Sequence, residues 1–109
     1  MGRNTLGTLE QAVMMVILAL GDGAYGVAIR DELSRRTRRE HTLGAVYTTL
    51  DRLTAKELLE SHLGEPTPTR GGRAKRYFKL TGEGRQALDH AVNSRHELEV
   101  GLDLAGKGA

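Results

Sequence analysis

Apolar residues recur every three to four positions through the first half of the chain, the spacing of one face of an amphipathic helix. Thr8 is predicted to cap the first helix, with Gln11 at the capping-box position three residues later. Turn-forming residues 21–23 are predicted to end it. The apolar stripe of this helix comprises Leu9, Val13, Val16, Ile17 and Leu20.

The same pattern predicts two more helices. Residues 25–36 place Tyr25, Ile29 and Leu33 on one face and charged side chains on the other. Thr42 is predicted to cap a third helix over residues 43–57, which has a polar outer face. The stripe of the third helix, assigned to core packing, comprises Leu43, Val46, Tyr47, Leu50 and Leu53.

Beyond residue 57 the period changes. Residues 58–63 and 74–80 are predicted as the strands of a hairpin, around a loop over residues 64–72 that holds both prolines. Thr81 is predicted to cap a last helix that ends near residue 102. Three helices, a hairpin and a helix predict a mostly α member of the α+β class. The predicted architecture is a winged helix-turn-helix over residues 1–81, followed by a dimerisation helix and loose tail over residues 82–109.

Composition favours a small soluble protein over a membrane or disulfide-bonded protein. The chain has 109 residues, enough for one domain, and no cysteine, which excludes disulfides and thiolate chemistry. Its longest apolar run, residues 13–20, is far shorter than the roughly 20 residues of a membrane span. Glu10 lies before that run, unlike the start of a signal peptide. We therefore expect a cytoplasmic protein with no membrane partner.

The third helix carries the first candidate DNA contacts. In a helix-turn-helix, the second helix of the pair lies in the major groove. Its outer face needs short side chains for close approach and long donors for phosphates and base edges. Any solvated helix face has a similar composition, so this helix does not decide the function alone. The candidates here are Thr42, Ala45, Thr48, Thr49, Arg52 and Lys56.

The hairpin strengthens the DNA-binding hypothesis. Residues 66–80 contain five basic side chains and no acidic one, so the net charge of +2 is concentrated here. Gly71 and Gly72 at the tip allow the backbone to approach a phosphate or a groove closely. Together with the polar third helix, this run favours DNA contact over a solubilising loop. The predicted contacts of the hairpin are Arg70, Arg73, Lys75 and Arg76.

The last helix is longer than packing on a three-helix core requires. Its apolar residues approach the spacing of a coiled-coil seam, which favours dimerisation over simple packing on its own domain. The predicted dimerisation residues are Leu88, Ala91, Val92, Arg95, Leu98 and Leu102.

No pattern in the chain predicts catalysis. The four histidines, at positions 41, 62, 90 and 96, do not have the spacing of metal ligands. Residues 21–23 lack the lysine of a phosphate-binding loop, and no Ser/His/Asp order indicates a nucleophile. We therefore predict no enzyme activity, no catalytic residue, no metal and no cofactor.

Several of these stretches together resemble the PadR-type transcriptional regulators, over about residues 6–92. The resemblance implies a winged-helix homodimer that binds double-stranded DNA at a palindromic operator, usually as a repressor. It also implies that a small phenolic or drug-like effector can act on some members. One C-terminal helix corresponds to the short form of the family. The matching residues are Leu6 and Gly7, Ala24 to Gly26, Gly44 to Tyr47 with Leu50, Arg52 and Leu53, Arg70 to Arg73, Lys75 to Phe78, Leu80, Thr81, Gly84 and Leu88.

The chain departs from the family pattern at two positions of the third helix. Thr48 stands where the family often has proline, and Glu57 stands where it usually has glycine. Glycine suits a left-handed helix end, so Glu57 implies either a strained turn or a turn of another kind. The chain also lacks tryptophan, which excludes an effector pocket lined by that residue. The alternative function is a winged-helix module that binds another protein and no DNA.

Overall fold

The computed structural model describes residues 5–65 and 74–108, with side chains as far as residue 102. Their elements follow the predicted order, and a short 3-10 turn over Gly21–Gly23 separates the first two helices. Within these residues, no helix has the length and apolar composition that crossing a membrane requires. The elements are α1 (Thr8–Leu20), α2 (Gly26–Thr37), α3 (Leu43–Ala55), β1 (Leu59–Leu63), β2 (Arg76–Leu80) and α4 (Gly82–Gly108).

The caps of the helices were predicted with mixed success. Thr42 caps α3 as expected, because its Oγ1 accepts a hydrogen bond from the amide of Ala45 at 3.1 Å. At α1 the prediction was wrong by one residue, since Gly7 rather than Thr8 is the N-cap. The Glu10 carboxylate, not Gln11, accepts from the amide of Gly7 at 2.9 Å, which is one half of a capping box. The other half is missing, because glycine has no side chain that could accept from the amide of Glu10.

The core lies where α1, α2 and α3 meet, and the hairpin and α4 close it. Apolar stripes of the three helices are buried there, with Phe78 from β2 and Leu88 from α4 added to them. A two-stranded hairpin has little stability of its own, so its base must be anchored. The amide of Phe78 donates to the carbonyl of Ala24 at 2.8 Å. Tyr25 and Tyr77 form an isolated antiparallel β-bridge beside this bond. The antiparallel hairpin, with Leu59 opposite Leu80, is thereby tied to the start of α2.

The end of α3 is a Schellman motif built on a glutamate. The amide of Leu58 donates to the carbonyl of Leu53 at 3.0 Å, and the amide of Glu57 donates to that of Thr54 at 2.9 Å. Glu57 has a φ of 63°, so it adopts the left-handed conformation that glycine favours. The turn is therefore the usual one and Glu57 is strained in it, which decides between the two possibilities left by the sequence.

Thr81 joins this turn to α4. Its Oγ1 donates to the carbonyl of Glu57 at 2.7 Å and accepts from the amide of Gly84 at 2.9 Å, so it also caps α4 as predicted. Its amide donates to the carbonyl of Leu58 at 3.1 Å. A Cβ at Gly84 would lie only 2.0 Å from that same carbonyl oxygen. The first turn of α4 is therefore packed directly on the backbone that ends α3.

Gly84→Ala is expected to lower the free energy of unfolding by about 2–3 kcal/mol, because the added methyl group would overlap a backbone oxygen that cannot move freely. Gly82→Ala is the matched control, since nothing lies within 4 Å of a Cβ at Gly82. The control should be neutral or slightly stabilising. Urea unfolding at one fixed protein concentration measures both, and equal stabilities would contradict the close contact.

Glu57→Gly is expected to raise the free energy of unfolding by about 0.5–1 kcal/mol, because glycine adopts the left-handed conformation without the Cβ penalty. Glu57→Ala keeps the Cβ and removes the carboxylate, so it should give no such gain. The same unfolding measurement compares the two variants. An equal gain in both would assign the effect to charge instead of backbone strain.

Candidate nucleic-acid interface

The burial of one face of α3 determines which side chains face outward. Val46, Leu50 and Leu53 are fully buried against the other helices. Because a helix has 3.6 residues per turn, the opposite side carries positions 45, 48 and 52. Four of the six predicted contact residues of this region are exposed on α3 or at its cap: Thr42, Ala45, Thr48 and Arg52.

Thr49 and Lys56, the other two predicted contacts of α3, are placed elsewhere. Thr49 is only 3 % exposed, and its hydroxyl donates to the carbonyl of Ala45 at 2.9 Å, so it belongs to the buried side. Its position directly before Leu50 places it at the edge of the apolar stripe. Lys56 is half-buried, and its Nζ lies 3.1 Å from Oε2 of Glu10 on α1. The sequence could not show this pairing because the partner is far away along the chain.

Tyr47 faces a groove between α3 and the hairpin, although the sequence assigned it to the core. It is 41 % exposed, and its ring lies so close to Gly26 that a Cβ there would come within 2.3 Å of the hydroxyl oxygen. The groove has a volume of about 850 Å³ and is open to solvent. Tyr25, Val27 and Leu63 also line it. The signal for this placement was the polar end of tyrosine, which favours the border of a core over its centre.

The opposite wall of this groove carries the two predicted hairpin contacts that the structure describes. Lys75 and Arg76 are both exposed. The Lys75 ammonium lies 4.4 Å from the centre of the Tyr25 ring, and Arg76 donates to the hydroxyl of Ser61 at 3.0 Å. Both side chains are therefore oriented by neutral groups. Arg70 and Arg73 lie outside the described residues.

Ion pairing separates the basic residues into two sets. On α2, Glu32 binds both Arg35 and Arg36, and the hydrogen bond from Arg35, followed by that from Arg36, lowers the pKa of the Glu32 carboxyl. These arginines are largely compensated. Within residues 5–65 and 74–102, by contrast, Arg52, Lys75 and Arg76 form no ion pair. Their positive charge is available to an external anion, although Asp51 contributes one negative charge to the groove wall.

The predicted dimerisation residues divide between the core and the surface. Leu88 is buried in the core of its own chain, and Ala91 and Val92 are half-buried against that core. For these three, intramolecular packing explains the apolar character. Arg95, Leu98 and Leu102 are exposed, the two leucines by 63 % and 64 %. Only this second half of the helix presents apolar side chains that the single chain does not bury.

The described residues contain no group of three or more histidine, aspartate or glutamate side chains arranged to hold a metal ion. The arrangement on α3 and the hairpin consists of hydroxyls, cations, a tyrosine and the carboxylate of Asp51. Hydroxyl and cationic side chains of this kind are suited to contacts with phosphates and base edges.

Comparisons with known proteins agree with this fold. The family model described as the transcriptional regulator PadR-like family matches residues 14–90. A solved PadR-like transcription factor from Bacteroides fragilis is 28 % identical with a TM-score of 0.72, over 91 % of this chain and 90 % of that one. A PadR family transcription regulator from Clostridium difficile is 26 % identical with a TM-score of 0.65, over 86 % and 95 %. A PadR-like regulator from Bacillus cereus has the same fold at 20 % identity, with a TM-score of 0.74 over 94 % and 95 %.

None of the curated protein sequences compared with the chain matches it significantly. The match to the family model nevertheless spans well over half of the chain and includes α2, α3 and the hairpin. The solved structures extend the agreement to α4, since they cover nine-tenths of the chain. The three-helix core with its winged hairpin is therefore that of a transcription regulator, and the chain belongs to the PadR-like family of transcriptional regulators.

Proposed function

We propose that this transcription regulator is a sequence-specific repressor that binds a palindromic operator as a homodimer and has no enzyme activity. The observation that carries the proposal is the outer face of α3. It combines small and hydroxyl side chains with the cation of Arg52, beside the cations of Lys75 and Arg76 on the hairpin, and none of these three forms an ion pair within the described part of the chain. Short side chains allow close approach to DNA, and the long donors supply phosphate and base contacts.

In this proposal α3 lies in the major groove. Arg52 reaches a base edge or a phosphate from the last turn of the helix. Thr42 and Thr48 contact the DNA backbone and so position the helix in the groove. The groove on the protein between α3 and the hairpin is lined by Tyr47, Lys75 and Arg76. These side chains contact the phosphates that flank the major-groove site. Tyr47 is added to the contacts and Thr49 is removed from them, because burial decides which of the two can reach a partner.

The homodimer is proposed from the exposed half of α4. Leu98 and Leu102 are four residues apart and lie on one face of the helix. Arg95, three residues before Leu98, lies on the same face. Met15 and Leu18 form a second exposed apolar pair on α1. Two copies related by a twofold axis would place their α3 helices in successive major grooves, about 34 Å apart. Residues 82–109 are thus proposed as the dimerisation element, although their first turns also complete the core.

Repression requires no further part of the molecule. A dimer bound over a promoter excludes polymerase from the same DNA, so occupancy alone accounts for the effect. A small effector that releases the dimer must bind its DNA-free form more tightly than its DNA-bound form. Such a regulator works in the compartment that holds the DNA, which agrees with the expected cytoplasmic location.

The primary test is binding to the duplex upstream of the protein's own coding region, compared with a scrambled duplex of equal length at two salt concentrations. The proposal predicts much tighter binding to the upstream duplex. Equal binding to both, with strong salt dependence, would leave only a basic surface. No binding to either duplex at low salt would favour the protein-interaction module instead.

Arg52→Ala is expected to weaken binding to the operator by roughly tenfold, since one good arginine contact to a base contributes about 1–3 kcal/mol of discrimination. Binding to the scrambled duplex should fall less. Arg85→Ala makes the same change of charge on α4, where Arg85 pairs with Asp89, and should leave the affinity ratio unchanged. Equal effects of the two variants, measured by fluorescence anisotropy, would remove Arg52 from the specific contacts.

Leu98→Glu is expected to shift the protein toward the monomer in sedimentation experiments, because it places a charge in the proposed helix interface. Operator affinity should fall in parallel. Val100→Glu is the control, since Val100 is 43 % exposed on the same helix and lies about 200° around the axis of α4 from Leu98. The control should keep the dimer, and an unchanged sedimentation coefficient for Leu98→Glu would contradict the interface.

A further inference from the structure

Glu10 is the one buried ionisable side chain among the residues that the structure describes, with 7 % of its surface exposed. Burying a carboxylate is costly unless hydrogen bonds and an opposite charge compensate it. Each of the two carboxylate oxygens of Glu10 accepts a hydrogen bond. Oε1 accepts from the amide of Gly7 at 2.9 Å, and Oε2 accepts from Nζ of Lys56 at 3.1 Å. The side chain therefore has a specific role that capping of α1 alone does not explain.

Lys56 is the C-cap of α3, so the ion pair joins the first turn of α1 to the residue that directly follows α3. Each charge lies at the favourable end of its helix: the carboxylate near the positive N-terminal end, and the ammonium near the negative C-terminal end. The side chain of Lys56 is only 27 % exposed. The pair is thus partly shielded from solvent, and loss of either partner would leave the other charge in a poorly hydrated site.

A role for Lys56 as a phosphate contact conflicts with this geometry. To reach DNA, its ammonium would have to leave Glu10, and the buried carboxylate would lose its counter-charge. At the other end of α3, Thr42 caps the helix and Tyr47 packs closely on Gly26. The ion pair supplies the corresponding side-chain restraint at the C-terminal end.

We propose that the Glu10–Lys56 ion pair positions α3 for its contact with DNA. It holds the C-terminal end of α3 against α1, so that Arg52, one turn earlier, meets the major groove at the correct angle. Lys56 itself makes no contact with DNA. This inference rests on the proposed DNA-binding function of α3 and concerns residues that do not touch the ligand.

The test uses Lys56→Met, Glu10→Gln and the double variant in the full chain. Met keeps most of the aliphatic length of lysine, and Gln retains an oxygen that can accept from Gly7. The measurements are affinities for the operator and for the scrambled duplex over a range of salt concentrations, together with thermal unfolding. All binding is measured well below the unfolding temperature of each variant, so that loss of fold is excluded as the cause.

Both single variants are expected to lower the operator-to-scrambled affinity ratio by a similar factor of roughly three to ten, with the salt slope unchanged. The double variant should be no worse than either single variant, because the two residues act through one interaction. A structural role alone would lower the unfolding temperature and leave that ratio as in the wild type, which would overturn the proposal.

The proposal is also overturned if Lys56→Met weakens binding to both duplexes and reduces the salt slope by about one, while Glu10→Gln preserves or strengthens binding. That combination would identify Lys56 as a phosphate contact released from its partner. The wild-type protein tests the underlying function separately. If it does not distinguish the two duplexes, the DNA-binding proposal fails before any variant is compared.

Discussion

The placement of α3 depends on the three residues that follow it, where the first turn of α1 and the start of α4 meet the end of the helix. Lys56 pairs with Glu10 of α1, Glu57 takes the left-handed conformation, and the carbonyl of Leu58 receives the amide of Thr81. Gly84 packs on that same carbonyl. These contacts hold the helix end against α1 on one side and against the start of α4 on the other. The outer face of α3 is therefore presented in one orientation, which a surface that reads DNA requires.

Ion pairing within the fold distinguishes the arginines at the end of α2 from the basic residues of the candidate interface. The arginines at the end of α2 share Glu32, whereas Arg52, Lys75 and Arg76 have hydroxyl, aromatic or solvent neighbours in the described part of the chain. A small net charge is thus compatible with a local surface of free cations. The distribution of pairs, more than the total charge, determines where an anion is attracted.

Local patterns predicted the order and type of every described element, because helix periodicity and turn residues are properties of short segments. They also identified Thr42 and Thr81 as caps and Arg52 as an outward residue. They failed where the outcome depends on residues distant in sequence. A local pattern does not show that Lys56 pairs with Glu10, which lies 46 positions away in the sequence. It also does not show the close approach of Gly26 that keeps the exposed Tyr47 ring at the border of the core. The apolar stripe of α4 likewise does not distinguish Leu88, which the chain's own core buries, from Leu98, which it leaves exposed.

The contact between Gly84 and Leu58 fixes how α4 is rotated about its own axis. The helix begins at a fixed point on the core and continues for 27 residues without a break. Its first turns therefore determine the direction in which the later side chains, as far as Leu102, point from the helix axis. One inserted residue between Leu88 and Leu98 would rotate the distal half by about 100° and advance it by 1.5 Å. In the proposed dimer, that rotation would turn Leu98 away from its partner and misalign the two α3 helices. In the proposed dimer, a change in the length of this segment would therefore preserve the direction of Leu98 only if it adds nearly whole turns, such as about 7 or 11 residues.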